Sequence, residues 1–306
     1  MVQKYYSYGK FLLTGEYLVL KGALSLALPL KLGQSLEVEQ LETNSEQIQW
    51  KAWRPEGKWF SVTLNRENLV NYSTNDTEKA MRLCQILQAV KQLAPKAFEG
   101  NDLRFTTRLD FNPNWGLGSS STLIGNLARW ANVNPYELLR LTFGGSGYDI
   151  ACATAEQPIY YQLIEGEPQV ETIDFNPPFA EHLYFVYQGQ KQSSSKEIKA
   201  FLEKADPVDL QKDIEAISEI SHAVPKCETL DEFAMLMQCH ERIIARCIGQ
   251  EPVQKRFPDF EGVLKSLGAW GGDFLLAASV WSKNQVKTYF EEKGLKSVFE
   301  YNDLVL

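Results

Sequence analysis

Residues 113–122 read PNWGLGSSST, and residues 123–131 follow at once with apolar side chains at helical spacing. Gly116 and Gly118 let the backbone turn its N–H groups toward one point, and Ser119, Ser120 and Ser121 add hydroxyl donors. A helix beginning there aims the positive end of its dipole at the same place. Such a loop is built to cradle an anion, with a nucleotide phosphate the expected occupant and Asn114, Trp115 and Leu117 part of the same turn. The alternative is an ordinary Gly/Ser turn capping a helix. No lysine follows the last glycine, which excludes the P-loop, and the G-x-G-x-x-G spacing of a dinucleotide site is absent.

The composition limits what the anion can belong to. The 306 residues carry 31 Lys plus Arg against 39 Asp plus Glu, a net charge of −8. No basic run or aromatic-basic stripe marks a nucleic-acid surface. Five cysteines, with no C-x-x-C pair, suit reduced thiols better than a disulfide or zinc framework. The chain starts MVQK and enters a candidate strand directly, without an apolar signal core or a run long enough to span a bilayer. The expectation is a cytoplasmic protein that does not bind membranes, as a monomer or homodimer.

Periodicity predicts an α+β chain. Residues 4–13 and 17–20 are expected to flank Gly15 as a hairpin, with further strands at 35–41, 59–64 and 103–111. Residues 77–93 have helical period behind the cap candidates Asn75 and Asp76, and Asn134-Pro135 opens another helix that ends at Gly144-Gly145. Helical continuation is expected from Asp149 to about residue 155, then strands at 159–163 and 169–173 and a linker at 176–178. Beyond it come a strand at 182–187, helices at 196–204, 208–223, 229–248 and 258–267, a strand at 274–280, a helix at 283–293 and a strand at 296–301. That split β-α-β order suggests a ferredoxin-like second domain. The apolar positions of the helix at 230–248 are read as packing.

Three segments together resemble the GHMP kinase superfamily, which includes galactokinase, homoserine kinase, mevalonate kinase and phosphomevalonate kinase. Residues 8–20, YGKFLLTGEYLVL, resemble its N-terminal motif. Residues 113–122 match its central phosphate loop. Residues 265–274, KSLGAWGGDF, look like its C-terminal glycine loop, ending in Gly-Gly-Asp as in phosphomevalonate kinases. The resemblance implies a two-domain GHMP kinase fold, with an N-terminal α/β nucleotide-binding domain over 1–175 and a C-terminal ferredoxin-like domain over 176–306. It also implies ATP and Mg2+ as cofactors.

The same resemblance supplies roles residue by residue. Asp149, in GGSGYDIACA, matches the general base of the mevalonate branch, where a carboxylate accepts the substrate's hydroxyl proton. The alternative is an N-cap aspartate on a helix beginning at Tyr148, and the two readings are compatible. Lys10 matches the lysine beside that base, and Ser120 matches the hydroxyl that ligates the metal. Glu16 matches a family glutamate, or is a charge at a hairpin edge. Substrate contacts are expected from Glu16, Ser146, Gly147, Gly271 and Gly272, and from Lys191, Ser194 and Ser195 in the polar segment after the strand at 182–187. The sequence departs from the pattern in three places. Leu138 stands where mevalonate kinase has a second metal ligand, with Glu137 beside it. Trp115 replaces a small residue of the central loop, and Trp270 replaces a glycine of the third. Either the indoles border the nucleotide or the loops have been remodelled. The expected activity is phosphoryl transfer to a small hydroxylated or phosphorylated acid, mevalonate or phosphomevalonate. The alternatives are a catalytically silent ligand sensor and a diphosphomevalonate decarboxylase.

Overall fold

The computed structural model describes residues 2–189, 201–203, 207–268, 270 and 272–306. Its chain forms two compact units that interleave in sequence. The first comprises Met1–Gly9, Leu32–Pro113 and Leu117–Thr154; the second comprises Lys10–Lys31, Asn114–Gly116 and Ala155–Leu306. The expected boundary after residue 175 lies inside the second unit. Among the described residues, no helix is long and apolar enough to cross a membrane.

The first unit contains most of strand β1 (Val2–Leu12) and the C-terminal half of β2 (Ser25–Gln40). Strands β3 (Gln47–Arg54), β4 (Gly57–Asn65), β5 (Asn71–Thr74) and β6 (Leu103–Leu109) complete a sheet in the order β5-β4-β3-β6-β2. β3 and β6 run parallel and the other neighbours antiparallel. Alternation sends Leu36, Val38, Ile48, Trp50, Val62, Leu64 and Phe105 to one face. Helix α1 (Thr77–Leu93) covers that face with Leu83, Ile86, Leu87 and Val90, which recur at helical spacing. Asp76 caps it by accepting from the Lys79 N–H at 3.0 Å, as its sequence predicts. Helix α2 (Ser119–Ala131) adds Ile124, Leu127 and Ala128, and Trp130 sets its edge on Phe105 at 4.8 Å. Helices α3 (Pro135–Thr142), capped by Asn134, and α4 (Tyr148–Cys152) follow. α4 stops three residues short of the expected end.

In the second unit β7 (Ile159–Ile164) and β8 (Glu167–Thr172) form a hairpin whose two-residue loop, Glu165-Gly166, has positive φ at both positions. β7 also pairs with residues 25–27 at the start of β2. A separate antiparallel sheet runs β10 (Val263–Leu267), β11 (Phe274–Ala278), β9 (Leu183–Tyr187), β12 (Val298–Glu300). With helices α5 (Pro207–Ala223), α6 (Leu230–Ile248) and α7 (Lys283–Glu292) between strands, this is a ferredoxin-like arrangement, the class expected, though with one strand, β10, more than the sequence predicts. A last turn, α8 (Tyr301–Leu304), closes the chain. Of the helix expected at 196–204, only 201–203 are described, and they are helical.

Two expected elements are corrected. The sequence predicts a helix over 258–267, but 263–267 are strand β10, buried at four of its five positions. A strand covered on both faces shows no alternation, so its apolar run reads like a piece of buried helix. Residues 17–20 were assigned a strand, but Leu18–Lys21 form a 3-10 turn. Gly15 at φ 94° and Tyr17 at φ 63° reverse the chain, and the Val19 N–H then donates to the Gly15 carbonyl at 2.8 Å. Strand β3 was not foreseen, because its outward residues Gln47, Gln49 and Lys51 dilute the apolar signal.

The loop between β2 and β3 is tied to the start of β6 by one carboxylate. Asp102 is 2 % exposed and accepts from the Thr43 hydroxyl at 2.7 Å, the Ser45 N–H at 3.0 Å and hydroxyl at 2.6 Å, and the Gln47 N–H at 2.9 Å. Burial raises its pKa, but those donors outweigh burial and hold it well below the usual carboxylate range. Its stabilisation is therefore present at neutral pH and lost as pH falls below the ordinary carboxylate range. Asp102→Ala should cost about 2–3 kcal/mol in urea unfolding at pH 7, the loss expected for stranded bonds to a charged acceptor. The difference from wild type should shrink on acidification.

Candidate functional site

In the first unit the central loop ends on Gly118, which takes φ 94° as the N-cap of α2. No side chain caps this helix, so its first turn relies on other acceptors. Ser119 and Ser120 are partly exposed there. Ser121 is 1 % exposed and its Oγ donates to the Gly118 carbonyl at 2.9 Å, bracing the turn from inside, so that of this residue only the backbone is left for a ligand. Leu117 is fully buried, and only its backbone remains for a ligand. Thr122 continues the brace, donating to Gln34 Oε1 at 2.9 Å. The N–H groups, the left-handed glycine and two hydroxyls fit a phosphate.

Asp149 sits second in α4, half-buried, with Oδ1 accepting from the Ile150 N–H at 3.0 Å. The cap of α4 is Gly147 at φ 88°, so the reading of Asp149 as a helix cap is set aside. Gly144 and Gly145 lie exposed with open space where a Cβ would stand. Ser146 follows them, partly exposed. Leu138 is fully buried on α3, while Glu137 is turned outward and paired with Arg140 at 3.5 Å. Glu137 is thus exposed where Leu138 is buried. Among the described residues no three His, Cys, Asp or Glu side chains converge as a metal site.

In the second unit the Lys10 ammonium donates to the Gly116 carbonyl at 3.0 Å. Gly116 has φ 70°, and a Cβ there would lie 2.4 Å from the Asp273 carboxyl group. Gly268, at φ 78°, would bring a Cβ within 2.9 Å of the same carboxylate. Both glycines are required by close approach as well as by backbone sign. Asp273 is 5 % exposed, and its carbonyl accepts from the Gln188 N–H at 2.9 Å. Lys10, Gly116, Gly268 and Asp273 are thus one packed cluster. Gly272 is buried beside it in the chain. Gly271, Lys191, Ser194 and Ser195 lie outside the described residues.

The two unusual tryptophans are anchors of their own unit. The Trp115 ring packs against Phe299 at 5.2 Å and against Tyr187 and Phe274 at 6.2 Å, while the Tyr187 hydroxyl donates to the Asn114 carbonyl at 3.3 Å. The Trp270 N–H donates to the Tyr17 hydroxyl at 3.2 Å, and its indole Nε1 donates to the Glu251 carbonyl at 3.2 Å. Trp115→Ala should destabilise the protein by about 3 kcal/mol, the scale for removing a packed aromatic ring, as read by urea unfolding.

Glu16 is neither at a hairpin edge nor presented to solvent. It is 4 % exposed, pairs through Oε1 with the Lys265 ammonium, and places Oε2 3.3 Å from His240 Nε2. The Gly15 N–H donates to that same Nε2 at 2.8 Å, so this nitrogen carries the lone pair. Lys265 also donates to the Ser266 carbonyl at 2.7 Å. Glu241 accepts from the Val253 N–H, the Ser266 N–H and the Ser266 hydroxyl, each at 3.0 Å. His240, Glu241 and Lys265 have no role in the sequence reading. The available signal was a charge inside an apolar strand, VLKSL, and two polar residues on the packed face of α6.

Burial pushes the Glu16 carboxyl up to about 7 against the pull of Lys265, and burial holds the His240 imidazole well below its ordinary value. A neutral imidazole accepting from Gly15 agrees with that direction. A carboxyl whose folded-state pKa is raised contributes stability that is full below its unfolded value and lost as pH rises through the folded one. The stability advantage of wild type over Glu16→Gln should therefore shrink between about pH 4.5 and pH 7. Urea titrations across that window check it, and an advantage that grows would contradict the assignment.

No protein-family profile and no curated protein sequence matches the chain. Solved structures do share its fold. The mevalonate kinase of L. major, in complex with R-mevalonate, is 17 % identical with a TM-score of 0.70, covering 97 % of this chain and 94 % of that one. The Methanococcus jannaschii mevalonate kinase is 15 % identical at TM-score 0.70, covering 98 % and 97 %. The Streptococcus pneumoniae phosphomevalonate kinase, in complex with phosphomevalonate and AMPPNP, is 14 % identical at TM-score 0.70, covering 97 % and 99 %.

Proposed function

We propose that this chain is a GHMP-type kinase that transfers the γ-phosphoryl group of ATP to a small hydroxylated or phosphorylated acid, with mevalonate and phosphomevalonate as the candidate acceptors. The observation that carries the reading is the shared fold along nearly the whole chain, at TM-scores of 0.65–0.70, with kinases of small molecules. A neighbour holding AMPPNP supports ATP as the donor. The left-handed Gly118 cap and the uncapped first turn of α2 fit its phosphates. Ser120 is the residue that would hold Mg2+, whose charge, when bound, offsets that of the phosphates. The same reading makes the protein a cytoplasmic enzyme.

In this reading each residue has one task. Asp149 accepts the proton of the attacking hydroxyl, and Ser146 and Gly147, just ahead of it, line the substrate side of that turn. Lys10 supplies a fixed positive charge to the migrating group, and its bond to Gly116 sets where that ammonium points. The backbone N–H groups at the start of α2 hold the phosphates of the nucleotide. Gly116 keeps Asp273 close by having no side chain of its own.

ADP release should be measured with mevalonate, phosphomevalonate and diphosphomevalonate, with carbon dioxide monitored. ADP release with either of the first two and no carbon dioxide is the expected result. Carbon dioxide from the third would make the protein a decarboxylase, and ATP binding without turnover on any of them would make it a sensor. Asp149→Asn should lower kcat by at least about 100-fold while ATP affinity stays near wild type, the scale of general-base assistance.

A further inference from the structure

Helix α6 places a buried imidazole on the turn that follows the strand bearing Lys10. His240 is fully buried, and its Nε2 accepts from the Gly15 N–H at 2.8 Å. Gly15 packs against Ser25 on its other side, where a Cβ would stand 2.0 Å from Ser25 Oγ, so that no other residue fits the turn. The turn is held again one residue earlier, where Thr14 Oγ1 lies 2.7 Å from Ser221 Oγ of α5 and accepts from the Leu26 N–H at 2.9 Å. One residue later, Glu16 grips Lys265 of β10. β10 leads through Gly268 to Asp273, which packs on Gly116, the acceptor of the Lys10 ammonium. The contacts therefore close a ring inside the second unit, from Lys10 along β1 to Gly15 and Glu16, across to Lys265, and back through Asp273 and Gly116. His240 is where α6 enters that ring.

We propose that His240 is a positioning residue for Lys10: as a neutral acceptor it fixes the Gly15-Glu16 turn, and through that turn the register of β1 and the reach of the Lys10 ammonium. A charged or apolar side chain at 240 cannot do this. An imidazolium has no lone pair for Gly15, and an apolar group leaves a buried N–H unsatisfied. Two groups face the imidazole: Glu16 from the turn, whose Oε2 lies 3.3 Å from Nε2 and as a carboxylate would favour a charged ring, and Lys265 from β10, whose charge, together with burial, opposes a second cation and keeps the ring neutral. Glu241, next on α6, is already occupied by Val253 and Ser266. The geometric claim stands on these contacts, and only its consequence for turnover rests on the kinase reading.

The test compares His240→Leu, which removes the acceptor, with His240→Gln, whose amide oxygen can replace it. The rate at which an amine-reactive acylating reagent labels Lys10 is measured by peptide mass analysis at a temperature where each variant is folded, with Lys58 and Lys96 as internal references. His240→Leu should change the Lys10 rate at least 3-fold and leave the references unchanged, and His240→Gln should bring it back to within 1.5-fold of wild type. An unaltered Lys10 rate in His240→Leu overturns the proposal. If that variant does not fold, the 15N shift of the wild-type imidazole decides. An Nε2 without a proton from pH 5.5 to 8.5 supports the proposal, and a protonated Nε2 overturns it. Where wild type turns over ATP, His240→Leu should lose at least 10-fold in kcat with the KM for ATP within 3-fold, and His240→Gln should recover it. A wild type inactive with every acceptor defeats the kinase reading alone, because labelling and tautomer are read without turnover.

Discussion

The second unit is organised around a charge pair that solvent does not reach. Glu16 and Lys265 lie 249 positions apart in the chain and are both almost completely buried. Ions in such a place are tolerated only when each has its partner, and removing one partner typically costs about 3–5 kcal/mol because the other is stranded. The pair therefore specifies one arrangement of the first and third glycine-bearing segments. His240 and Ser221 add neutral hydrogen bonds to the same turn, so three elements from the C-terminal part of the chain fix a short N-terminal segment.

Close packing replaces side-chain chemistry at the middle of this arrangement. Gly116 and Gly268 both approach Asp273 at distances that no Cβ could share. The carbonyl that Lys10 uses is thus presented by a residue chosen for the absence of a side chain. Trp115, directly before it, does the opposite and fills the space among Tyr187, Phe274 and Phe299. A large aromatic anchor next to a required glycine holds the loop in place and leaves its backbone available. What looked in the sequence like an intrusion into a glycine loop is how that loop is attached to its sheet.

Much of the first unit was legible because its elements have clear periods and clear ends. α1 runs over the predicted residues behind Asp76, and α3 starts at the predicted proline, since caps are local devices readable from a few neighbouring residues. β10 reads like a helix because it is buried at four of its five positions, where neither period survives, and the turn at Leu18–Lys21 reads like a strand because its first three residues are an apolar run too short to show a period. For Ser121 the motif indicates the neighbourhood and leaves the direction of the hydroxyl open. Residue type announces a hydroxyl, but the rotation of the helix decides whether it faces the loop interior or a ligand.

By itself the sequence determined the α+β class, the three glycine-bearing segments with Lys10 in the first, and Asp149 in a fourth glycine-rich stretch. These depend on spacing and on residue types that only a few backbone conformations accept. Tertiary structure alone decided that Glu16 is buried against Lys265 rather than set at a hairpin edge, that Gly147 and not Asp149 caps α4, and that His240 and Glu241 are buried polar partners. Apart from the cap, which turns on the backbone sign of one glycine, these depend on partners more than 200 residues away or on which side of a helix faces inward. Hydrogen bonds and burial across such distances leave no periodic trace in the chain that makes them.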